Sequence, residues 1–453
     1  MTKKPDTSRH EPKLLRTIGL WQVTLYATGG MLGAGIYGLI GRAAGELGAA
    51  VWLGFLMSLV IAMLTGLSYA SLGSRYPRTA GAAFITQRAY HRGLLTYMVG
   101  ATVACSGMTS MAAGAGIVAQ NLQRFSFLSD IPVLAMTLGF VLLISGIVYR
   151  GIRESMRVNV VCTIVEAAGL ILIIAVGFRY WGSADLFETP MSAEGGGLAS
   201  VPLLLIAQGA VLTFYSFLGF EDLLNVSEEV RDPQRTVPLG LVMALCMVAV
   251  IYISVAITAV SVVPWRELAE AGAPLAEVMA RAAPWFPNWL FFVITIFAVA
   301  NTVLINYVTT SRLVYGMARD QGLPAVLAKV HPQRRTPHNA ILLILAIIVT
   351  LILVGNIGDL AEATVLLLLM VFAVVNFALV ILKLRPDEPK GKFEIPIVVP
   401  AIGGAACIGF LFARLSAGDW VAPMIAGSLL LLVTVYYAAA RPTIIEAPTL
   451  AID

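Results

Sequence analysis

Residues 28–37 read Thr28-Gly29-Gly30-Met31-Leu32-Gly33-Ala34-Gly35-Ile36-Tyr37. Four glycines fall within seven residues, and each weakens a helix by up to about 1 kcal/mol relative to alanine. Yet the stretch lies inside an apolar run from about residue 21 to residue 41. In a bilayer, backbone groups freed from a helix are tolerated only where they are buried in protein or line a cavity. The cluster therefore marks either a break in a spanning helix or a close-packed seam. The seam reading has its own support, because Gly29 and Gly33, and Gly41 and Gly45, form GxxxG pairs.

The rest of the chain has the same character. Of its 453 residues 58% are hydrophobic and 12% charged, against about 45–50% and about 25% in a soluble domain. That balance excludes a soluble enzyme, a nucleic-acid-binding protein and a disordered scaffold. Unbroken apolar runs, rather than alternating ten-residue segments, argue for helices and against a β-barrel. A spanning helix needs roughly 20 apolar residues. Runs of that kind fall at about 21–41, 48–72, 95–120, 131–149, 157–178, 203–225, 237–262, 288–316, 338–355, 359–382, 396–414 and 420–439. The expected fold is an all-α polytopic membrane protein with twelve transmembrane helices. The first sixteen residues are polar and basic, with no apolar segment leading to a cleavage site, so no signal peptide is expected. Cys105, Cys162, Cys246 and Cys407 all sit in apolar runs without metal spacing and read as buried small hydrophobes.

Lysine and arginine set the orientation. With a cytoplasmic N-terminus, 24 of the 30 fall in the inside segments and 6 outside. Both termini are therefore expected in the cytoplasm, in a multi-pass protein of the cytoplasmic (inner) membrane. The outside loop 264–287 reads as a short surface helix between Pro264 and Pro287.

Span 6 bears on the glycine cluster. It reads Phe214-Tyr215-Ser216-Phe217-Leu218-Gly219-Phe220-Glu221-Asp222, followed by Asn225, Glu228 and Glu229. Two carboxylates after a glycine in an apolar run are expensive unless they face a cavity or a partner. Spans 1 and 6 are corresponding members of two five-helix halves, and paired interruptions of that kind point to a transporter site between them. The half-helix after Gly35 would present free N–H groups and a positive dipole end, suited to a carboxylate. The half-helix before Gly219 would end in free carbonyls, suited to an ammonium. A site with both ends matches an α-amino acid zwitterion.

These residues resemble the amino acid–polyamine–organocation transporter family. Gly33-Ala34-Gly35-Ile36-Tyr37 is similar to its GSGIF-type motif. Ser68-Tyr69-Ala70-Ser71-Leu72 through Arg75-Tyr76-Pro77-Arg78-Thr79-Ala80-Gly81 resembles its loop after span 2. Phe217-Leu218-Gly219-Phe220-Glu221 resembles its span 6, and Ser311-Arg312-Leu313-Val314-Tyr315 through Pro324 its 8–9 loop. The resemblance implies a LeuT-type 5+5 inverted repeat with helices 1 and 6 discontinuous, two further C-terminal helices, and alternating access. It divides the chain into a tail at 1–20, repeats at 21–178 and 203–382, helices 11–12 at 396–439, and a tail at 440–453. It also implies that Ala34 and Gly35, within the Gly33–Ile36 turn, bind the substrate carboxylate. Phe217 and Leu218, beside Gly219, would take the amine. Tyr215 matches an aromatic gate, and Cys105 and Thr109 match the span 3 side of the pocket. Two departures are Ser71, where many relatives have Glu, and Glu166, where several proton-coupled relatives have Lys.

Glu166 lies about nine residues into span 5, roughly 13.5 Å along a helix. Asn159 and Thr163 share its face. It reads as a proton-coupling group near span 1, or as a carboxyl paired with a neighbouring helix. Glu221 is the second coupling candidate. Asn301 and Asn306 read as interhelical hydrogen-bonding groups. The expected function is secondary active transport of amino acids, by proton-coupled symport of neutral or broad-range substrates. The alternative is an exchanger of amino acids with amines or of cationic amino acids and polyamines; a transporter-like sensor or a channel is more remote. No nucleophile–base pair, metal motif or phosphate-binding loop is visible, so no enzyme activity, cofactor or ATP coupling is expected. The expected partners are an amino acid, protons and the lipid bilayer, with no nucleic acid, and the assembly is a monomer or a homodimer.

Overall fold

The computed structural model describes residues 18–76, 81–150, 156–191, 197–198, 201–334 and 336–440. Most of both tails, the Pro77–Ala80 part of the 2–3 loop, and the side chains of Asn159, Cys162, Asn225, Glu228 and Glu229 lie outside the described residues. Among those described, the regular elements are helices, with one isolated bridge between Ile18 and Val230. In order they are α1 (Leu20–Met31), α2 (Ala34–Leu47), α3 (Val51–Arg75), α4 (Ala82–Tyr90), α5 (Gly93–Leu122), α6 (Val133–Arg150), α7 (Met156–Gly177) and α8 (Leu203–Phe214). There follow α9 (Pro233–Val262), α10 (Trp265–Glu270), α11 (Pro274–Ala282), α12 (Asn288–Arg319), α13 (His338–Val354), α14 (Ile357–Leu384), α15 (Val398–Leu415) and α16 (Val421–Ala440). Between α8 and α9 run a tight turn at Tyr215–Phe217 and a 3₁₀ helix at Phe220–Glu229.

Among the described residues, ten helical runs are long and apolar enough to cross a membrane; one of them, Ala34–Arg75, is 42 residues long, and α13 is a shorter apolar helix. The chain is an all-α, multi-pass membrane protein. Leu142, Leu143, Leu342, Leu353, Leu431 and Leu432 are exposed on α6, α13 and α16. In a bilayer such faces meet lipid tails as apolar as leucine, so they need no protein cover. The same reason corrects the reading of Cys246, which is exposed on α9. The inner helices are buried nearly all round. Helix α3 packs on α9, and α5 packs on α12 and α14.

Loop 264–287 holds two helices, α10 and α11, where one was expected. Ala271-Gly272-Ala273 separates them, and Pro274 starts the second with an N–H-free first position. Helix α4 was hidden in the sequence within a polar loop.

Each end of the bundle carries an ionic cluster. At the end holding α4, Glu394 accepts two hydrogen bonds from the Arg75 guanidinium, at 2.7 and 2.9 Å, pairs with Lys383, and accepts the Gly391 amide at 2.9 Å. Burial alone would raise this carboxyl, but Arg75 and Lys383 outweigh it and hold it down to about 2. Arg88 pairs with Glu388 at 2.8 Å, and Arg385 donates to the carbonyls of Arg88 and Ala89. Thus the 385–397 loop ties α3, α4 and α14 together. At the other end Arg414, counted from the sequence as a loop charge, is 5% exposed and is held by Glu362 and Asp419.

Candidate functional site: two broken helices crossing at a cavity

Helix α1 stops at Met31 because Leu32 is extended, with φ −65° and ψ 144°, and Gly33 takes φ +133°. The second break shares the extended leucine and the positive φ of the glycine, while ψ of the glycine differs, −125° at Gly33 against −15° at Gly219. Leu218 is extended, with φ −65° and ψ 146°, and Gly219 takes φ +113°. Only glycine occupies such positive φ without strain. The same Leu-Gly dipeptide thus interrupts both helices. The break in span 1 lies two residues earlier than the sequence suggested, since α2 already begins at Ala34.

The two breaks lie against one another. A β-carbon on Gly219 would stand 2.3 Å from the Gly30 carbonyl oxygen, and one on Gly35 would stand 2.4 Å from the Ser216 Cα. Gly29 of the cluster does lie in a seam, since a β-carbon there would strike the Thr163 side chain, and beyond the cluster one on Gly41 would strike the Leu268 carbonyl. Both readings of the cluster therefore hold, each for different residues. The chain segments leading away from the breaks also meet, where the Arg231 amide donates to the Ile18 carbonyl at 2.9 Å.

Breaking a helix strands carbonyls that need partners. Tyr252, from α9, answers for both breaks: its hydroxyl donates to the Met31 carbonyl at 2.6 Å and lies 3.0 Å from the Ser216 carbonyl. Nothing in the local sequence of α9 marks it. Glu221 closes the second break, its carboxylate accepting the Gly219 amide at 2.9 Å.

A cavity of about 460 Å³ opens at the crossing. One wall is backbone and small residues of the breaks, including Gly30, Ala34, Gly35, Leu218 and Gly219. A second wall, from α5 and α12, is largely polar and includes Ser106, Ser110, Thr302, Asn306 and Thr309. A third is mainly apolar, with Leu368, Val371 and Phe372 of α14 beside Tyr69 of α3. Its ionisable lining groups besides tyrosine are Glu221, Asp222 and Arg312, toward the end that holds α4. At the opposite end α2 is packed against α10, and Ile36, Leu39 and Ile40 are buried.

Of the residues singled out from the sequence, Ala34, Gly35, Tyr215, Leu218, Gly219 and Glu221 line this cavity. Gly33 shapes the break behind it, and Ile36 and Phe217 are fully buried beside it. Cys105 and Thr109 are not among the lining residues but lie behind them. The Thr109 hydroxyl lies 2.8 Å from that of Thr364, which does line the cavity. On α5 the residues one place further along, Ser106 and Ser110, take the cavity face. Glu166 is outside the lining but fully buried against the first break. Tyr37 donates to its backbone carbonyl at 2.7 Å, and Asn301 of α12 donates to its Oε1 at 3.2 Å. Its Oε2 is buried with no hydrogen-bond partner, as are Thr28 Oγ1 and Ser216 Oγ at the two breaks. Among the described residues no group of three or more His, Cys, Asp or Glu is placed to hold a metal ion.

Chemically, the crossing offers the amide-rich start of α2 and the carbonyl-rich turn at Tyr215–Phe217 to one cavity. Comparison with known proteins shows the family. The family described as amino acid permease matches residues 18–439. The chain is 28% identical to the branched-chain amino acid permease BcaP of Bacillus subtilis, over 91% of this chain and 90% of that protein. It is 26% identical to the methylthioribose transporter of Bacillus subtilis, over 88% of each. It is 29% identical to cationic amino acid transporter 4 of Mus musculus, over 86% of this chain and 63% of that protein.

Proposed function

Because this chain belongs to the amino acid permease family, and is a transporter rather than an enzyme, we propose that it carries amino acids across the cytoplasmic membrane by alternating access, as a proton-coupled symporter. The observation that carries this reading is the contact between the Leu32-Gly33 and Leu218-Gly219 breaks at the cavity. The first-turn amides of α2, at Ala34 and Gly35 within the Gly33–Ile36 turn, hold the substrate carboxylate. The carbonyls of Phe217 and Leu218 take the ammonium, and Tyr215 covers the ligand. Cys105 and Thr109 back this pocket from α5.

The relatives named above differ in what their names say they carry, so substrate class is read from this cavity. The apolar wall of Leu368, Val371 and Phe372 suits a neutral side chain. Glu221 is engaged with the Gly219 amide, which leaves it less available to a cationic one. We assign proton coupling to Glu166, whose unpartnered oxygen lies beside the first break, with Glu221 as the second candidate.

The layout is read as twelve spans. Dividing the 42-residue run at Gly48 and adding α13 to the ten candidates reaches that number. Repeats at 21–178 and 203–382 then place α3 opposite α9 and α5 opposite α12, pairs that pack together. With both termini in the cytoplasm, the cavity leads toward the cytoplasm and is shut outside by α2 and α10, an inward-facing state.

The test is a thermal-shift screen of purified protein against the twenty proteinogenic amino acids, common polyamines and methylthioribose, since only ligands of the folded state raise the melting point. Neutral amino acids should give the largest shifts. Uptake into proteoliposomes should then respond to a proton gradient. Exchange without that response identifies an antiporter, and a shift only with methylthioribose rejects the amino acid reading.

A further inference from the structure

The polar wall of the cavity contains a connected chain of side chains. Asn306 of α12 donates its amide to Ser110 Oγ at 3.1 Å. Ser110 Oγ of α5 lies 2.8 Å from the Tyr215 hydroxyl, which also donates to the Ser110 carbonyl at 3.3 Å. The protons balance in one way that satisfies all three groups. Ser110 accepts from Asn306 and donates to Tyr215, and Tyr215 donates to the Ser110 carbonyl. All three residues line the cavity, and Tyr215 is 5% exposed. The turn carrying Tyr215 is thus held on two sides. Tyr252 of α9 holds its backbone through the Ser216 carbonyl, while α5 and α12 hold its ring.

We propose that Ser110 and Asn306 are positioning residues that fix the Tyr215 ring against the substrate, so that this chain sets affinity rather than turnover. This rests on the reading of Tyr215 as the aromatic cover of the site. Two facts favour positioning over simple cross-bracing of helices. The chain ends on the ring that faces the ligand space, not on a lipid-side or core residue. In addition, α5 and α12 already pack closely without it: a β-carbon on Gly107 would stand 2.2 Å from Thr310 Oγ1. An aromatic ring with one hydroxyl tethered has little rotamer freedom left to lose when substrate arrives, which is how preorganisation raises affinity.

The experiment is a double-mutant cycle in proteoliposomes holding the full chain. The probe is whichever of the twenty proteinogenic amino acids stabilises the wild type most. Ser110→Ala, Asn306→Ala and Tyr215→Phe should each raise KM about three- to tenfold, the scale of one net hydrogen bond, with maximal rate kept within about twofold. The Ser110→Ala/Tyr215→Phe double variant should be no worse than the weaker-binding single, and Asn306→Ala should add nothing in the Ser110→Ala background. Effects that multiply independently overturn the proposal. So does a lowered melting point with unchanged KM, which is the mark of mere cross-bracing. A wild type that binds none of the twenty overturns the amino acid reading, and this inference falls with it. Binding with independent effects overturns this inference alone.

Discussion

At Gly35 a β-carbon would stand 2.4 Å from both the Cα and the hydroxyl oxygen of Ser216, and a backbone atom cannot step aside as a side-chain tip can. Gly35→Val should therefore reach the membrane yet abolish transport, while Gly139→Ala, where a β-carbon meets nothing within 4 Å, should transport like the wild type. Equal uptake by the Gly35 variant would show that the crossing tolerates separation. Tyr252 acts at the same scale. Tyr252→Phe leaves the Met31 and Ser216 carbonyls without its hydroxyl, at a cost of about 1–3 kcal/mol for a buried unpaired group. The melting point should fall and substrate affinity weaken, and an unaltered melting curve would contradict the role given to that hydroxyl. The sequence pointed to both breaks because the glycine clustering in span 1 is paired with a glycine before two carboxylates in span 6, but it placed the first break at Gly35 rather than Gly33, since glycines in apolar runs also form packing seams. It did not reveal Tyr252, because a tyrosine in a long apolar helix has many. Nor did it fix which face of α5 lines the cavity. That helix is buried on nearly every side, so no polar stripe distinguishes Cys105 and Thr109 from Ser106 and Ser110.

At the scale of elements, the 385–397 loop holds α4 in place, and α4 with its preceding Gly81 supplies Gly81, Ala82 and Ala83 to the cavity rim. Glu394 is the centre of that strap. Its carboxyl sits at about 2 in the folded protein, below the ordinary 4.5, so its contribution to stability is present above about pH 4.5 and is lost as pH falls toward 2. Glu394→Gln should lower the melting point at neutral pH and flatten its acid dependence across that window. A variant that melts with the wild-type acid profile would place the sensitivity elsewhere. Reading this region from sequence gave the loop and its charges but neither α4 nor the pairings, because Arg75 and Glu394 are brought together only by the packing of α3 beside α14. The 264–287 loop reads from the sequence as one helix, although Gly272 and Pro274 are the residues that divide it into two.

For the whole molecule, we propose that the two breaks, the cavity between them and the buried Glu166 act as one device. A buried carboxyl is costly when charged, so protonation favours the conformation that buries it. On this proposal substrate at the first break would shift the same equilibrium, and linkage would make the effect reciprocal. Glu166→Gln keeps the shape without the charge. Uptake by this variant should lose its pH dependence across the neutral range, while substrate exchange survives. A wild-type pH profile in the variant would return Glu166 to a structural role and leave Glu221 to be tested. That Glu166 sits mid-span was plain from the sequence; its partner Asn301 comes from α12 and was not.

We propose that one ligand is held by its carboxylate at the start of α2 and by its ammonium at the turn before Gly219. The most direct measurement is equilibrium binding of three relatives of one substrate to the purified protein: the amino acid, the amine lacking its carboxylate, and the carboxylic acid lacking its amine. The intact amino acid should bind roughly ten- to a hundredfold more tightly than either fragment, the scale of losing hydrogen bonds to a charged group. An amine or an acid that binds as well as the amino acid would contradict it, because one of the two helix ends would then be idle.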